Sequence, residues 1–402
     1  MMIEPMRISS PFRHNPIRAV ATASLTSITA TLPVFLVGGL SVLVRKDLGF
    51  SETQLGGAVS AGFIVATLFS VPAGRLIERI GARRGMVLTV LWSSLCLIGL
   101  GTIAASWGLL LMLVATSGVG LALSVPSSNL AVAQSVPIHR QGLAFGIKTS
   151  AGPWATMLAG LVLPLVGLQY GWDWAFRGAA VLALPVLLLV AGLRLPAGGR
   201  IPRQKIVSID LPLVLLAATA AAGMAAATAM VSFYVETAVG NGIEAGTAGH
   251  LLALGGAVGI AGRILWGLAS DRVDRVGVKP IVVLFGTGAL GAVGMGAAAD
   301  FWLLLPATVV GFGTGWSWPG VLMATVAREY VRRPATALGV VAMGFFLGGS
   351  VGPVAVGAII EHISTLAGWI AIAGSLMVAA MFAFGATRIL GQRRLAQGLT
   401  PR

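Results

Sequence analysis

The feature that most limits what this chain can become is a succession of long apolar runs, broken only briefly, from residue 18 almost to the C-terminus. About 20 apolar residues wound as a helix cross the roughly 30 Å hydrocarbon core of a bilayer. Only helices and closed barrels satisfy every backbone polar group there. The runs predict twelve helical spans, at 18–44, 52–76, 84–105, 107–135, 141–168, 173–195, 209–236, 244–270, 279–299, 301–327, 334–361 and 364–387. The breaks after the third and ninth are only "AASWG" and "AADFW", short hairpins. Polar material is thin: 56% of the 402 residues are hydrophobic and 10% are charged. A soluble domain of this length needs more polar surface, so the expected class is an all-α integral membrane protein. The 55 glycines suit helices that pack closely in lipid, where small residues let backbones approach.

A net charge of +14 raises the possibility of nucleic-acid binding. The positions of the charges oppose it. Of the 27 Lys and Arg, 22 fall in the tails and alternate loops of one face, whereas the other face holds Arg45, Lys46 and Arg177. The positive-inside rule then places both termini in the cytoplasm and the chain as a multi-pass protein of the cell membrane. The stretch before the first span lacks a short apolar segment with a cleavage site and reads as a tail. Cys96 lies in the middle of a run and permits neither an intrachain disulfide nor a cysteine metal site.

The two halves match at a constant offset of 193 residues. "GVGLALSVP" (118–126) aligns with "GFGTGWSWP" (311–319), and "GRLIER" (74–79) with "GLASDR" (267–272). "RQGLAFGI" (140–147) aligns with "RPATALGV" (333–340), and "LGFSETQLG" (48–56) with "NGIEAGTAG" (241–249). Two pseudo-symmetric six-helix bundles follow, 18–195 and 209–387, joined by a basic Pro/Gly-rich linker at 196–208 and flanked by tails at 1–17 and 388–402. Parallel six-helix repeats point to alternating access around a site between the halves.

At these residues the chain resembles the major facilitator superfamily. "GRLIERIGARR" (74–84) is similar to that family's signature between the second and third spans, carried here by Gly74, Glu78, Arg79, Gly81, Arg83 and Arg84. Glu78 stands where the family more often has Asp. A degenerate copy, "GLASDRVDRVG" (267–277), supplies Gly267, Asp271 and Arg272. The resemblance implies that these residues latch an inner gate. Physically, Gly74 would let a helix approach, and Glu78 would pair with the arginines near helix ends. Basic residues in such a loop also serve as topological anchors.

Two cations belong to no loop. Lys148 lies eight residues beyond Arg140, and Arg263 eight residues before Asp271. At about 1.5 Å per residue both are about 12 Å deep, near the middle of a core whose half-thickness is about 15 Å. A cation there costs about 2.5–3.5 kcal/mol on insertion scales. All thirteen Asp and Glu lie in tails, in loops or near span ends, so none is expected beside either cation. The missing anion is most simply the substrate: Arg263 offers a planar fork suited to a carboxylate and Lys148 a mobile point charge. Their repeat mates, Val341 and Ser70, are uncharged. Against this stand snorkelling by Lys148 and backbone hydrogen bonding by Arg263. The family resemblance implies that spans five and eight are neighbours at the bundle interface. "GRILWGLASD" (262–271) resembles the eighth span of oxalate- and monocarboxylate-type carriers, with Arg263 at the position of their anion-binding arginine. The oxalate type carries its lysine in span eleven; here it is in span five.

Trp154, Tyr234, Trp316, Trp318 and Phe345 are candidates for an apolar wall of the site, with packing or lipid contact as the alternative. The hydroxyls of span one, Thr22 to Thr31, either line the cavity or bond their own helix. His14, His139, His250 and His362 are scattered and off the midplane, so neither a metal nor a proton relay is expected. No nucleotide loop or catalytic triad is present, and no cofactor or enzymatic activity is expected. The expectation is a monomeric secondary transporter for a small organic anion, a carboxylate, coupled to protons or to anion exchange. A drug or metabolite efflux antiporter and a transporter-like membrane sensor are the alternatives.

Overall fold

The computed structural model describes residues 15–137, 140–195, 210–272, 279–330 and 334–396, with side chains omitted at 141–142, 270–272, 279, 334–336 and 394–396. Residues 1–14 and 397–402 of the expected tails, the linker at 196–208, and the side chains of Asp271 and Arg272 therefore lie outside the described residues, whereas 16–17 and 388–396, expected as tail, are helical and extend the first and last spans.

The described chain is helical. The first half contains α1 (Pro16–Gly39), α2 (Ser41–Leu48), α3 (Glu52–Ile80), α4 (Ala82–Thr102), α5 (Trp107–Ser135), α6 (Gln141–Thr149), α7 (Ala151–Val162), α8 (Leu168–Tyr170) and α9 (Trp172–Ala191). The second contains α10 (Leu211–Gly240), α11 (Ala245–Arg272), α12 (Lys279–Ala297), α13 (Phe301–Gly315), α14 (Trp318–Glu329), α15 (Pro334–His362) and α16 (Thr365–Ala396). Among the described residues, eleven helical segments are long and apolar enough to cross a membrane.

Local chemistry sets the ends. Asn15 accepts hydrogen bonds from the Ile17 and Arg18 N–H groups ahead of Pro16. Ser51 and Gln54 form a reciprocal capping box on α3. Gly81 takes a φ of 84° between α3 and α4, a region that favours glycine. Ser106 and Asp300 cap α5 and α13 directly after the two short hairpins. Asp210 caps α10, and Tyr330 and Arg393 also donate to it, tying the ends of α10, α14 and α16 together. Burial opposes ionisation of Asp210, but these hydrogen bonds outweigh it and hold its pKa below the ordinary value. The anchor therefore holds at neutral pH and is lost as pH falls below the normal aspartate range.

The exceptions to continuous spans are informative. Span five is two helices meeting at Ser150, followed by a π-helical turn at Leu163–Gly167. Pro153 has no N–H to give Thr149 O, and Pro164 none to give Gly160 O. Span ten, expected as one run at 301–327, is broken between α13 and α14. Pro319 cannot donate to Gly315 O, so the helix restarts at Trp318. Both breaks lie at the depth of the expected site.

In the first half α1 packs on α4, α5 and α9, and α3 on α5. In the second, α10 and α12 pack on α16, and α11 and α12 on α13. The halves meet mainly where α3 lies on α15 and α7 on α11. Small residues permit this contact: a Cβ on Gly160 would stand 2.5 Å from Ala253 N and 2.6 Å from Gly249 O.

Candidate functional site

The two breaks and the α7–α11 contact enclose a central cavity of about 170 Å³. Lys148 and Arg263 both line it, and no Asp or Glu among the described residues does. Lys148 is the last but one residue of α6, and is 7% exposed. Arg263 projects from α11 and is 5% exposed.

The two cations are held differently. Arg263 Nε donates to Trp316 O at 2.9 Å, and Nη1 donates to Thr149 O. Thr149 O is the carbonyl that Pro153 leaves without a helical donor, and Trp316 O lies at the break in span ten. The guanidinium thus joins the broken spans five and ten, with its carbon 5.6 Å from the centroid of the Trp316 ring. Three of its five N–H groups remain, those on Nη2 and one on Nη1. Lys148 Nζ has no hydrogen bond or ion pair with any described residue. Gly152 leaves room beside the charges: a Cβ there would lie 3.5 Å from the Trp316 ring and 3.9 Å from Arg263 Nη1.

Trp316 and Phe345 line the cavity as expected of wall residues. Trp318 stands behind, stacked on Phe345 with ring centroids 5.3 Å apart. Two of the candidates lie off the cavity wall. Tyr234 is 1% exposed and sits behind the wall, hydrogen-bonded to Thr308 and edge-on to Phe312, which in turn touches Trp316. Trp154 is 38% exposed and is not part of the cavity wall, because it is two residues past Gly152 on the helix and turns toward the lipid side. In span one, Ser27 and Thr31 reach the cavity, while Thr22, Thr26 and Thr29 bond backbone carbonyls one turn back.

The described part of the expected inner cluster is open here. Glu78, Arg79, Arg83 and Arg84 are exposed, and Glu78 makes no ion pair or hydrogen bond with a described residue. A Cβ on Gly74 would meet no described atom within 4 Å, nor would one on Gly339 of α15. Toward the opposite face the same two helices are in tight contact, through Gly349 on Phe63 and Gly357 on Glu52. Gly267 is buried against Gly146 in the α6–α11 contact.

That opposite face carries a polar network which the sequence left unassigned. Arg45 Nη1 pairs with Glu236 Oε2 of the second half at 2.6 Å and with Glu52 Oε1 at 2.9 Å. Glu361 of α15 accepts from Thr53 N at 2.9 Å, and Asp47 accepts from Trp172 Nε1 at 2.9 Å. Arg45 and Glu361 thus fasten the halves together on this side. The available signal was scarcity, since few charged residues occur on this face and these are among them. Glu236→Gln removes one charge of a partly buried pair worth about 1 kcal/mol, so about a fivefold faster reaction is expected of an impermeant maleimide with Thr31→Cys from this side. An unchanged rate would show that the pair does not hold the face shut.

The fold and site define a polytopic helical transporter: two halves around a central cavity, closed toward one face by packing and ion pairs. The chain belongs to the major facilitator superfamily, whose family model matches residues 19–275 and again 213–397. A relative from Agrobacterium vitis, named provisionally for tartrate transport, is 26% identical over 92% of this chain and 93% of its own. Among solved structures, a D-xylose–proton symporter superposes with a TM-score of 0.74 at 14% identity, covering 92% of this chain and 97% of that one. An inward-facing bacterial homologue of the lysosomal transporter Spinster gives 0.70 at 15% identity, over 94% and 95%. At these identities the structures share the fold.

Proposed function

We propose that this chain is a secondary transporter of the cell membrane that carries a small organic anion, a carboxylate, by alternating access. The observation that carries the reading is Lys148: a buried ammonium on the cavity wall with neither a partner nor a cavity-lining carboxylate among the described residues. A bound carboxylate would supply the counter-charge and accept from both Lys148 and the free N–H groups of Arg263. The whole-length relative named for tartrate, itself a dicarboxylate, supports the anionic class.

Alternating access assigns roles to the rest. With the basic loops cytoplasmic, the closed face is external, and the open Glu78 cluster belongs to an inner latch that engages when the cavity turns outward. No carboxylate among the described residues lines the site, so a coupling proton would ride on the substrate or on the cationic cluster, or the cycle would be anion exchange.

A thermal-shift screen of the purified protein against carboxylates, sulfonates, phosphates and neutral drugs tests the reading. Carboxylates are expected to raise the melting temperature by mass action, by an amount that grows with concentration. Stabilisation by neutral compounds alone would contradict an anion site and favour an efflux carrier.

A further inference from the structure

Resting on the assignment of Lys148 and Arg263 to an anion, we infer that the ligand is an amphiphilic monocarboxylate, an aryl or branched-alkyl acid, rather than a small polyhydroxylated diacid. The two sides of the cavity differ in kind. The cations come from α6 and α11, which lie against each other: a Cβ on Gly146 would be 3.0 Å from Arg263 O and 3.3 Å from Gly267 Cα. The other side comes from α3, α10 and α15, also packed together, with Gly349 against the Phe63 ring and Gly344 and Gly348 against the α10 backbone. What this side offers the cavity is Phe63, Met224, Ala342, Phe345 and Phe346, whose side chains hold no hydrogen-bond donor and, beyond the weak Met224 sulfur, no acceptor. Phe345 is held by its stack on Trp318, at an interplanar angle of 6°.

The uncharged polar groups do not change this. Thr31 donates to Ser27 O, Thr149 donates to Gly146 O, and Ser124, Ser27 and Ser128 form a chain that ends on Ser124 O. Their protons are committed, and they offer only lone pairs. Uncommitted donors in the wall are Lys148, the remaining N–H groups of Arg263, the buried indole N–H of Trp316 beside them, and the amide of Asn129, which has no hydrogen bond to a described residue. One carboxylate, with about four acceptor sites, uses this set. A hydroxyl or second carboxylate directed at the Phe63–Met224–Phe346 side would be desolvated without a partner. A ring or branched alkyl group placed there exchanges water for apolar and thioether contact.

The test uses the wild-type protein in detergent, with phenylacetate, its neutral amide phenylacetamide, and tartrate, read by thermal shift. Phenylacetate is expected to give the same rise in melting temperature as tartrate at a concentration at least about tenfold lower. Phenylacetamide is expected to have little effect. Tartrate acting at an equal or lower concentration would overturn the amphiphilic assignment while leaving an anion site intact. Phenylacetamide matching phenylacetate would overturn the anion site, and this inference with it. Met224→Thr is expected to weaken phenylacetate several-fold and leave tartrate unchanged; equal effects on both would remove the apolar side from the ligand's path.

Discussion

Arg263→Ala melts several degrees below wild type and loses most of its anion uptake, whereas Lys148→Ala melts at or above wild type and loses uptake as well. The contrast follows from what each cation touches. Removing Arg263 frees the carbonyls of Thr149 and Trp316 at two helix breaks. Hydrogen bonds to charged groups are worth about 1.5–3 kcal/mol each. Their loss outweighs the relief of about 2.5–3.5 kcal/mol from no longer burying a cation. Lys148 makes no such bond, so its removal brings only the relief, offset by the packing of its methylene stem. Melts followed by circular dichroism in detergent check the pair. A loss of stability in Lys148→Ala as large as in Arg263→Ala would make Lys148 a structural residue.

Gly160→Leu is expected to open the cavity toward the face that is closed here. Its side chain would meet the backbone of Gly249 and Ala253, which cannot move aside as a flexible side chain can. Overpacking costs about 1–3 kcal/mol, and the cost falls only on the state in which α7 and α11 touch at this level. A shift of about 1.4 kcal/mol is tenfold in population. Thr31→Cys in this background should therefore react about tenfold faster with an impermeant maleimide from that side. No change in rate, with the variant folded, would mean that the α7–α11 contact does not move during the cycle.

The membrane class was legible because hydropathy is a local property, and helical rise gave both cations the same expected depth. Lys148 and Arg263 could be placed near the midplane by counting residues from Arg140 and Asp271. The partners of Arg263 were only half legible. Pro153 marks Thr149 O as a carbonyl without a helical donor, but that Arg263 fills it depends on how α11 lies against α6. The facing of Trp154 and Tyr234 was hidden for another reason. A helix that meets lipid on one side and protein on the other is apolar all round, so periodicity does not show which side is which. Gly152 reaches the cavity and Trp154, two residues on, does not. The pairing of Arg45 with Glu236 joins residues 191 apart and is a product of tertiary packing alone.

Uptake of a labelled carboxylate chosen by the ligand screen, into proteoliposomes holding equal amounts of wild type or Lys148→Ala, tests the central assignment most directly. Loss of a charged hydrogen bond to the ligand, about 1.5–3 kcal/mol, predicts uptake lower by a factor of about 10 to 150. Equal uptake by the two proteins would contradict it and return Lys148 to the scaffold.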